Sequence, residues 1–451
     1  MEDWDNVQGM SFKDIKKMQS KKLRSFLKMM NQYHPYYREL FKKKGINVSK
    51  IKSIDDLEKI PFTTKSDMMR TDETPKKPYS FALEYQKKEY STSQTMFTGG
   101  ATGEPIPIVY SIYDVDILRE TGNRLADIFK LDQENDIIVN GFPYKPHLAF
   151  WQTFHTTMQL GTTALQSGGA KIMGTDKIIT ALEKLEATTF FTPPGYALYA
   201  LGGAVVFNRD IQYLETVVMG MDVVYPDYKE RIKEVLTIAG AETPRVMSEY
   251  ILSEAKHAWG ECADSTGYHT YPDLEIIEVI NPETGEPVPE GEKGEIVFTS
   301  LDGGGTNVLR FKTGDLGKIV YEQCPHCERT VPRIQDVEKS TNYVDFKFPD
   351  GEKTVNFNAL YQVLMGHRGI VQWQLEIKKK NGYDALHLLI SVMKGMDENE
   401  IITDIKERIP TETGAELESI TAMRLRDLLP RLGFETEYME KRIKDLRNAQ
   451  N

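Results

Sequence analysis

A glycine-rich segment carries the first recognisable chemistry of the sequence. Residues 95–111 read TMFTGGATGEPIPIVYS, with three glycines and two threonines in a short loop between apolar stretches. Backbone amides in such a loop can face phosphate oxygens because no side chain is in the way, and threonine hydroxyls add donors. The segment lacks the Gly-Lys-Ser/Thr ending of a P-loop. By itself it fits both a phosphate-binding loop and a plain turn between strands.

The cysteines form a second pattern. Cys324 and Cys327 frame Cys-Pro-His-Cys, a spacing that lets both sulfurs reach one tetrahedral metal. Cys262 and His269 would complete a Cys₃His set, with His326 as a substitute ligand. Such a zinc site would be structural, since four filled positions leave no catalytic opening. Buried free thiols and a redox pair are the alternatives.

The elements that must position these residues change character along the chain. Residues 20–41 have apolar positions at helical spacing, interrupted at Pro35. From about 137 to 218, short apolar runs alternate with helical patterns, which predicts a parallel sheet covered by helices. After Leu274 the pattern becomes strand and turn, and after about Ile334 it predicts hairpins with PDG and NG turns between helices. The fold class is therefore α/β. We expect a large domain with a β-rich lobe at residues 1–335 and a small α+β domain at residues 336–451.

Composition excludes several classes of function. The chain has 451 residues, a net charge of −11 and three cysteines. The acidic balance argues against a general nucleic-acid surface. No apolar run reaches the roughly 18 residues of a membrane span, and the first 20 residues lack a signal peptide, so we expect a cytoplasmic protein.

Several motifs in a fixed order resemble the adenylate-forming enzymes. Residues Thr98 to Pro105 resemble their phosphate loop, Tyr250 to Glu254 resemble Tyr-Gly-x-Ser/Thr-Glu, and Arg310 to Asp315 resemble Arg-x-x-Thr-Gly-Asp. The strings PYYRELF, PFTTKSD, TPPGYAL and NPETGEPVPEGEKGEIVFTSL are similar to phenylacetate-CoA ligases. The resemblance runs from about residue 20 to 335. It implies a small domain that rotates between two half-reactions, and a homodimer.

The resemblance also implies a role for each matching residue. Tyr250 would stack on the adenine, Asp315 would bind the ribose hydroxyls and Ser253 would lie near the phosphates. Glu254 would bind Mg²⁺, which prefers a hard carboxylate oxygen. The remaining ATP-binding residues would be Thr98, Gly99, Gly100, Thr102 and Gly103 in the loop, with Gly220. The candidates for the family's hinge residues are Arg333, Asp336 and Lys339, of which Arg333 would bind ATP. The acid pocket would be lined by the aromatic stretch from Phe142 to Trp151, with Phe142, Tyr144 and His147 as its candidates. Plain core is the alternative for such a stretch.

The sequence departs from the family pattern at several points. Ala101 and Glu104 replace the hydroxyl residue and the lysine of the phosphate loop, and Ile251 replaces a glycine. The C-terminal lysine of the family, which bridges the carboxylate and the α-phosphate, falls near Met439. We expect Lys441, or alternatively Lys444, to serve in its place.

The resulting prediction is an AMP-forming acid–thiol ligase. It would activate a carboxylic acid, aryl or arylacetic, with ATP and Mg²⁺, and then pass the acyl group to coenzyme A. Two alternatives stay open. One is acyl transfer to a carrier protein or another acceptor, with or without adenylation. The other is a degenerate subunit that binds nucleotide or acyl-CoA.

Overall fold

The computed structural model describes residues 1–69, 81–84, 87–99, 105–263 and 266–447. Its α-helices in chain order are α1 Trp4–Val7, α2 Phe12–Tyr33, α3 Pro35–Lys44, α4 Lys65–Met68, α5 Ile112–Phe129, α6 Leu148–Leu160, α7 Ala170–Met173, α8 Thr175–Lys184, α9 Pro194–Val206, α10 Pro226–Ala239, α11 Phe357–Gly366, α12 Glu398–Thr413 and α13 Leu425–Leu432. Its strands are β1 Thr92–Phe97, β2 Pro107–Ser111, β3 Ile137–Asn140, β4 Thr163–Gln166, β5 Thr189–Thr192, β6 Thr216–Met219, β7 Arg245–Leu252, β8 His257–Gly260, β9 Tyr268–His269, β10 Glu275–Ile280, β11 Gly294–Ser300, β12 Phe311–Val320, β13 Arg333–Lys339, β14 Tyr343–Phe348, β15 Gly351–Asn356, β16 Ile370–Lys380, β17 Tyr383–Val392, β18 Leu417–Ala422 and β19 Ile443–Asp445.

The chain forms two compact units that each contain separate stretches of sequence. The first comprises residues 1–140, 144–166 and 247–337, and the second comprises 141–143, 167–246 and 338–451. The chain passes into the second unit for the last time after Val337, close to the predicted boundary at 335/336. Residues 167–246 belong to the second unit as well, so the division into a large and a small domain stays a prediction.

The first unit contains a βαβ crossover and a β-rich part. Strands β3 and β4 pair in parallel, and α6 connects them, as the alternating pattern predicts. A five-stranded sheet follows in the order β10-β11-β12-β13-β9. Its neighbouring strands β10, β11 and β12 pair antiparallel, in agreement with the strand-and-turn pattern after Leu274.

The second unit repeats the crossover and adds a mixed sheet. Strands β5 and β6 are parallel and fully buried, with α9 between them. Strands β18-β17-β16-β19 form a four-stranded sheet, and β16 and β17 are joined through Asn381 and Gly382. Both turn residues have positive φ, as a tight hairpin turn requires. Strands β14 and β15 also pair antiparallel, around the PDG turn. The α/β class and the two predicted hairpins are confirmed.

The N-terminal helical segment is longer than the pattern indicated. Helix α2 begins at Phe12 because the side chain of Ser11 caps it by accepting a hydrogen bond from the backbone amide of Asp14. Pro35 occupies the first position of α3, where a backbone N–H would have no hydrogen-bond partner within the helix, so its absence does not destabilise the helix. None of the helices among the described residues combines the length and the apolar character that a membrane crossing requires.

Candidate functional site

The described residues on either side of the glycine-rich stretch form two paired strands in the first unit. Strands β1 and β2 pair antiparallel up to Phe97 and Pro107. Thr98 closes the base of the loop, because its amide donates to the carbonyl of Ile106 and its hydroxyl oxygen accepts from the Ile106 amide, both at 3.0 Å. The predicted phosphate ligands Gly100, Thr102 and Gly103 lie outside the described residues.

Two predicted acid-pocket residues lie in the segment that borders this loop. The amide of Phe97 donates to the carbonyl of Pro146 at 2.7 Å. A Cβ atom on Gly99 would lie 3.6 Å from Nε2 of His147, so the imidazole faces the start of the loop. Burial, and then the ammonium of Lys145, lowers the pKa of His147 to about 4, which makes the ring neutral at physiological pH. Tyr144 is 52% exposed and packs its ring edge-on against Phe150.

Tyr250 and Asp315 lie together although 65 residues separate them. The hydroxyl of Tyr250, on β7, donates to Oδ2 of Asp315 at 2.7 Å. Asp315 lies where the register between β11 and β12 shifts, beside Gly314 with a φ of 78°. A bulge of this kind redirects the side chain that follows it. The structure therefore brings together the two residues that the resemblance assigns to adenosine.

Glu254 and Ser253 are buried in the turn between β7 and β8. Burial raises the pKa of Glu254 to about 7, the carboxylate of Asp315 adds to the rise, and the ammonium of Lys65 opposes it. Burial is the largest cause of this shift and Lys65 offsets it only in part, so a divalent cation bound here would favour the ionised carboxylate. Lys65 belongs to the PFTTKSD string, but nothing in the sequence indicated that it would lie near Glu254.

The four predicted zinc ligands converge in the first unit. Their ligand atoms all lie within 4.8 Å of one another. Sγ of Cys262 is 3.6 Å from Sγ of Cys324, and Sγ of Cys327 is 3.4 Å from Nε2 of His269. Tetrahedral zinc with bonds of about 2.3 Å to sulfur and about 2.0 Å to nitrogen separates its ligand atoms by about 3.5–3.8 Å. The donor set and its spacing therefore fit zinc.

The cysteines of the cluster are hydrogen-bonded to one another and to a threonine. The hydroxyl of Thr266 lies 3.0 Å from the sulfurs of both Cys262 and Cys324. The hydrogen bond between Cys262 and Cys327 lowers the pKa of the Cys327 thiol and raises the pKa of the Cys262 thiol, so the proton stays on Cys262. Metal binding would release that proton, because metal-bound thiols are deprotonated.

Residues 39–302, more than half of the chain, match the family described as AMP-binding enzyme. The chain belongs to the AMP-binding enzyme family. Among curated proteins this AMP-binding enzyme is similar to the phenylacetate-coenzyme A ligase of Thermus thermophilus, with 25% identity over 84% of this chain and 81% of that protein. The predicted resemblance to phenylacetate-CoA ligases is confirmed. The sequence identity of 25% is typical of a divergent member of the family.

Solved structures show the same fold for this AMP-binding enzyme. A 2-hydroxyisobutyryl-CoA ligase in the postadenylation state, in complex with R3-HIB-AMP, matches 99% of this chain and 92% of its own, with a TM-score of 0.82 and 17% identity. The same ligase in complex with 2-HIB-AMP and CoA matches 99% of this chain and 94% of its own, with a TM-score of 0.67 and 18% identity.

Arg333 was expected to bind the nucleotide as a hinge residue. Among the described residues, its guanidinium instead contacts two backbone carbonyls. Its guanidinium donates to the carbonyl of Thr266 and, at 3.2 Å, to the carbonyl of Glu322. These two carbonyls belong to the two loops that carry the cysteine cluster. In this structure of the AMP-binding enzyme, Arg333 therefore joins the two halves of the candidate zinc site.

The remaining predicted residues belong to the second unit. Phe142 is fully buried, and the amide of Gly220 donates to the carbonyl of Thr192 at 3.3 Å. Lys441 is 54% exposed, and its ammonium pairs with Glu437 at 2.7 Å.

The cation that points inward in the C-terminal segment of this AMP-binding enzyme is Arg442. Its guanidinium is buried and donates to Oε1 of Glu440 at 2.8 Å. The Glu440 carboxylate fills the space beside Gly195, where a Cβ atom would lie only 1.8 Å from Oε1. The spacing of basic residues in the sequence did not distinguish Arg442 from Lys441.

Proposed function

We propose that this AMP-binding enzyme activates a carboxylic acid with ATP and transfers the acyl group to coenzyme A, releasing pyrophosphate and AMP. The hydrogen-bonded pair of Tyr250 and Asp315, with the buried Glu254 turn next to it, is the observation that carries this proposal. The names of the similar curated proteins, phenylacetate-coenzyme A ligases, support it.

The adenosine half of ATP would bind at the Tyr250–Asp315 pair. Asp315 is acidic and already accepts one hydrogen bond, so its carboxylate can also accept from ribose hydroxyls. Burial, and then the Asp315 carboxylate, raises the pKa of Tyr250 well above its ordinary value, so the phenol remains a donor that orients Asp315. The loop from Thr98 to Gly103 and Ser253 would face the phosphates, and Gly220 and Arg333 remain predicted nucleotide residues.

Glu254 would hold Mg²⁺ together with the ATP phosphates. When bound, Mg²⁺ neutralises charge that develops on the phosphate oxygens. The carboxylate fits this group because its oxygens are hard ligands and it is buried in the turn that follows the strand of Tyr250. Lys65 would supply a second positive charge near it.

The reaction has two halves. A carboxylate oxygen of the acid attacks the α-phosphorus of ATP, the bond to the bridging oxygen breaks, and pyrophosphate leaves. The thiolate of coenzyme A then attacks the acyl carbon and AMP leaves with the former carboxylate oxygen. The protein supplies orientation and charge stabilisation. We assign the cation at the reacting carboxylate to Lys441, which must leave its pairing with Glu437 to reach that position.

The acid is proposed to be aryl or arylacetic. His147 is neutral and Tyr144 presents an exposed ring beside the loop, which suits an apolar ring more than a charged tail. Phe142 remains a pocket residue predicted from the sequence. Coenzyme A is preferred to a carrier protein as acceptor because the similar curated proteins are coenzyme A ligases.

The cysteine cluster is proposed to hold one structural zinc ion. Cys262, His269, Cys324 and Cys327 would fill all four positions, so the ion would link two loops and leave no place for a substrate. Closely spaced thiols of this kind suit a reducing cytoplasm. A homodimer and a small C-terminal domain that rotates between the half-reactions complete the proposal.

The test is product analysis with purified enzyme, ATP, Mg²⁺, coenzyme A and a panel of aryl, arylacetic and short aliphatic acids. Mass spectrometry should detect an acyl-CoA and one equivalent of AMP for acids of one class. Acyl-AMP without acyl-CoA would indicate another acceptor. No product from any acid would contradict the proposal.

A further inference from the structure

The turn that carries Ser253 and Glu254 ends in an unusually placed lysine. The amides of Ala255 and Lys256 close the turn by donating to the carbonyls of Leu252 and Ser253, both at 3.1 Å. Lys256 has a φ of 69°, a left-handed conformation that residues other than glycine rarely adopt. Its side chain is only 6% exposed. A long charged residue in a strained and buried position indicates that its side chain has a specific partner.

That partner is Asp114, a residue 142 positions earlier in the chain. Nζ of Lys256 lies 2.5 Å from Oδ1 of Asp114, whose side chain is 1% exposed. The Asp114 carboxylate also accepts from the amide and hydroxyl of Ser111, each at 2.7 Å, and from the amides of Gly304 at 3.2 Å and Gly305 at 2.5 Å. Asp114 is therefore fixed to two parts of the chain, and Lys256 neutralises its charge.

The loop Gly303–Gly305 is wrapped around this ion pair. A Cβ atom on Gly303 would lie 2.8 Å from both Oδ1 of Asp114 and Nζ of Lys256. At Gly305 it would lie 2.1 Å from the carbonyl oxygen of Val109. The amides of this second glycine-rich loop thus bind an internal carboxylate and are not available as a phosphate cradle.

Tyr110, on β2, is a buried tyrosine on which the charges of both Asp114 and Glu254 act. Its hydroxyl is buried and has no hydrogen-bond partner among the residues that the structure describes. Burial raises its pKa first, and the carboxylates of Asp114 and Glu254 both add to the rise. The phenol therefore lies within electrostatic range of both carboxylates.

We propose that Lys256 and Asp114 are positioning residues that fix the Glu254 turn for binding of Mg²⁺ with ATP. This inference rests on the proposed function of Glu254. The ion pair ties the end of the turn to the start of α5 and to the Gly303–Gly305 loop. Removing one partner leaves an uncompensated buried charge, so the turn must move or admit water. The Glu254 carboxylate then loses its fixed place.

The experiment compares Lys256→Met with the wild type and with Arg124→Met. Arg124 forms a similarly buried ion pair with Asp273 in the same unit, at 2.6 Å, and serves as the matched control. Mg²⁺ is titrated in two assays: acid-dependent exchange of pyrophosphate into ATP, and calorimetric binding of ATP. The Mg²⁺ midpoint is the Mg²⁺ concentration that gives half of the maximal signal. We expect Lys256→Met to raise this midpoint at least tenfold in both assays, and Lys256→Arg to restore it in part. Arg124→Met should lower the melting temperature without moving the midpoint.

The proposed function and the positioning role of Lys256 can fail independently in this experiment. If the wild type binds ATP with Mg²⁺ but exchanges no pyrophosphate with any acid, the proposed function fails and the binding midpoints still test the positioning role. An unchanged midpoint in folded Lys256→Met, or an equal change in Arg124→Met, overturns the inference. If Lys256→Met does not fold, the double variant with Asp114→Asn removes both charges. A raised midpoint there supports the inference and an unchanged one overturns it.

Discussion

The side chain of Glu249 makes stability depend on pH in a way that can be calculated. It is completely buried on β7, and neither carboxylate oxygen has a hydrogen-bond partner among the described residues. Burial raises its pKa from 4.5 to about 8. The folded protein therefore holds a proton that the unfolded chain releases near pH 4.5. The contribution of Glu249 to stability is fully present below that pH and is lost as the pH rises through about 8.

The magnitude follows from the two pKa values. Each tenfold change in proton affinity is worth about 1.4 kcal/mol, so the loss between the two pKa values is on the order of 5 kcal/mol. Glu249→Gln has nearly the shape of the protonated acid and carries no titratable proton. We expect it to match the wild type near pH 4.5 and to exceed its free energy of unfolding by several kcal/mol at pH 8.5.

The assay is denaturant unfolding of both proteins at a series of pH values, with exposed Glu283→Gln as the control. The difference between Glu249→Gln and the wild type should grow steadily as the pH rises, whereas the control should show no trend. A difference that stays constant from pH 5 to pH 8.5 would refute the assignment of a neutral buried acid.

Three further predictions concern the site. Mass spectrometry should detect roughly one zinc ion per chain in the purified wild type, and Cys324→Ser should lose that ion together with thermal stability; full zinc content in the variant would contradict the Cys₃His site. Asp315→Asn should raise KM for ATP on the order of tenfold to a hundredfold in pyrophosphate exchange, because a charged acceptor for the ribose is lost, and KM for the acid should not change. Lys441→Ala should slow exchange on the order of 100-fold with an unchanged melting temperature, since its pair with Glu437 is exposed and contributes little to stability. Glu437→Gln is the control for that variant, and normal exchange in Lys441→Ala would remove Lys441 from the mechanism.

Local patterns predicted much of the fold. The Asn-Gly turn between β16 and β17 and the two parallel crossovers depend on nearby residues, so their signals are local. The common site of Tyr250 and Asp315 could be predicted from the sequence because each residue lies in a recognisable motif. The cysteine cluster could be predicted from the sequence because the chain has only three cysteines that could share a metal ion.

Other features depend on tertiary packing that no pattern encodes. The contact between Lys256 and Asp114 joins residues 142 positions apart, and neither belongs to a motif. Arg333 was assigned by its position near a hinge, whereas its guanidinium donates to the two loops of the cysteine cluster. The inward direction of Arg442 and the outward direction of Lys441 are set by how the C-terminal segment packs, which the spacing of basic residues does not reveal.

The most direct test of the account is acid-dependent exchange of radiolabelled pyrophosphate into ATP, measured for the wild type and for Glu254→Gln across aryl, arylacetic and short aliphatic acids. We expect exchange with one class of acid in the wild type, and a loss of at least roughly 100-fold in a folded Glu254→Gln variant. Exchange that Glu254→Gln retains at the wild-type rate would contradict the site. Absence of exchange with every acid, in an enzyme that binds ATP, would contradict adenylation itself.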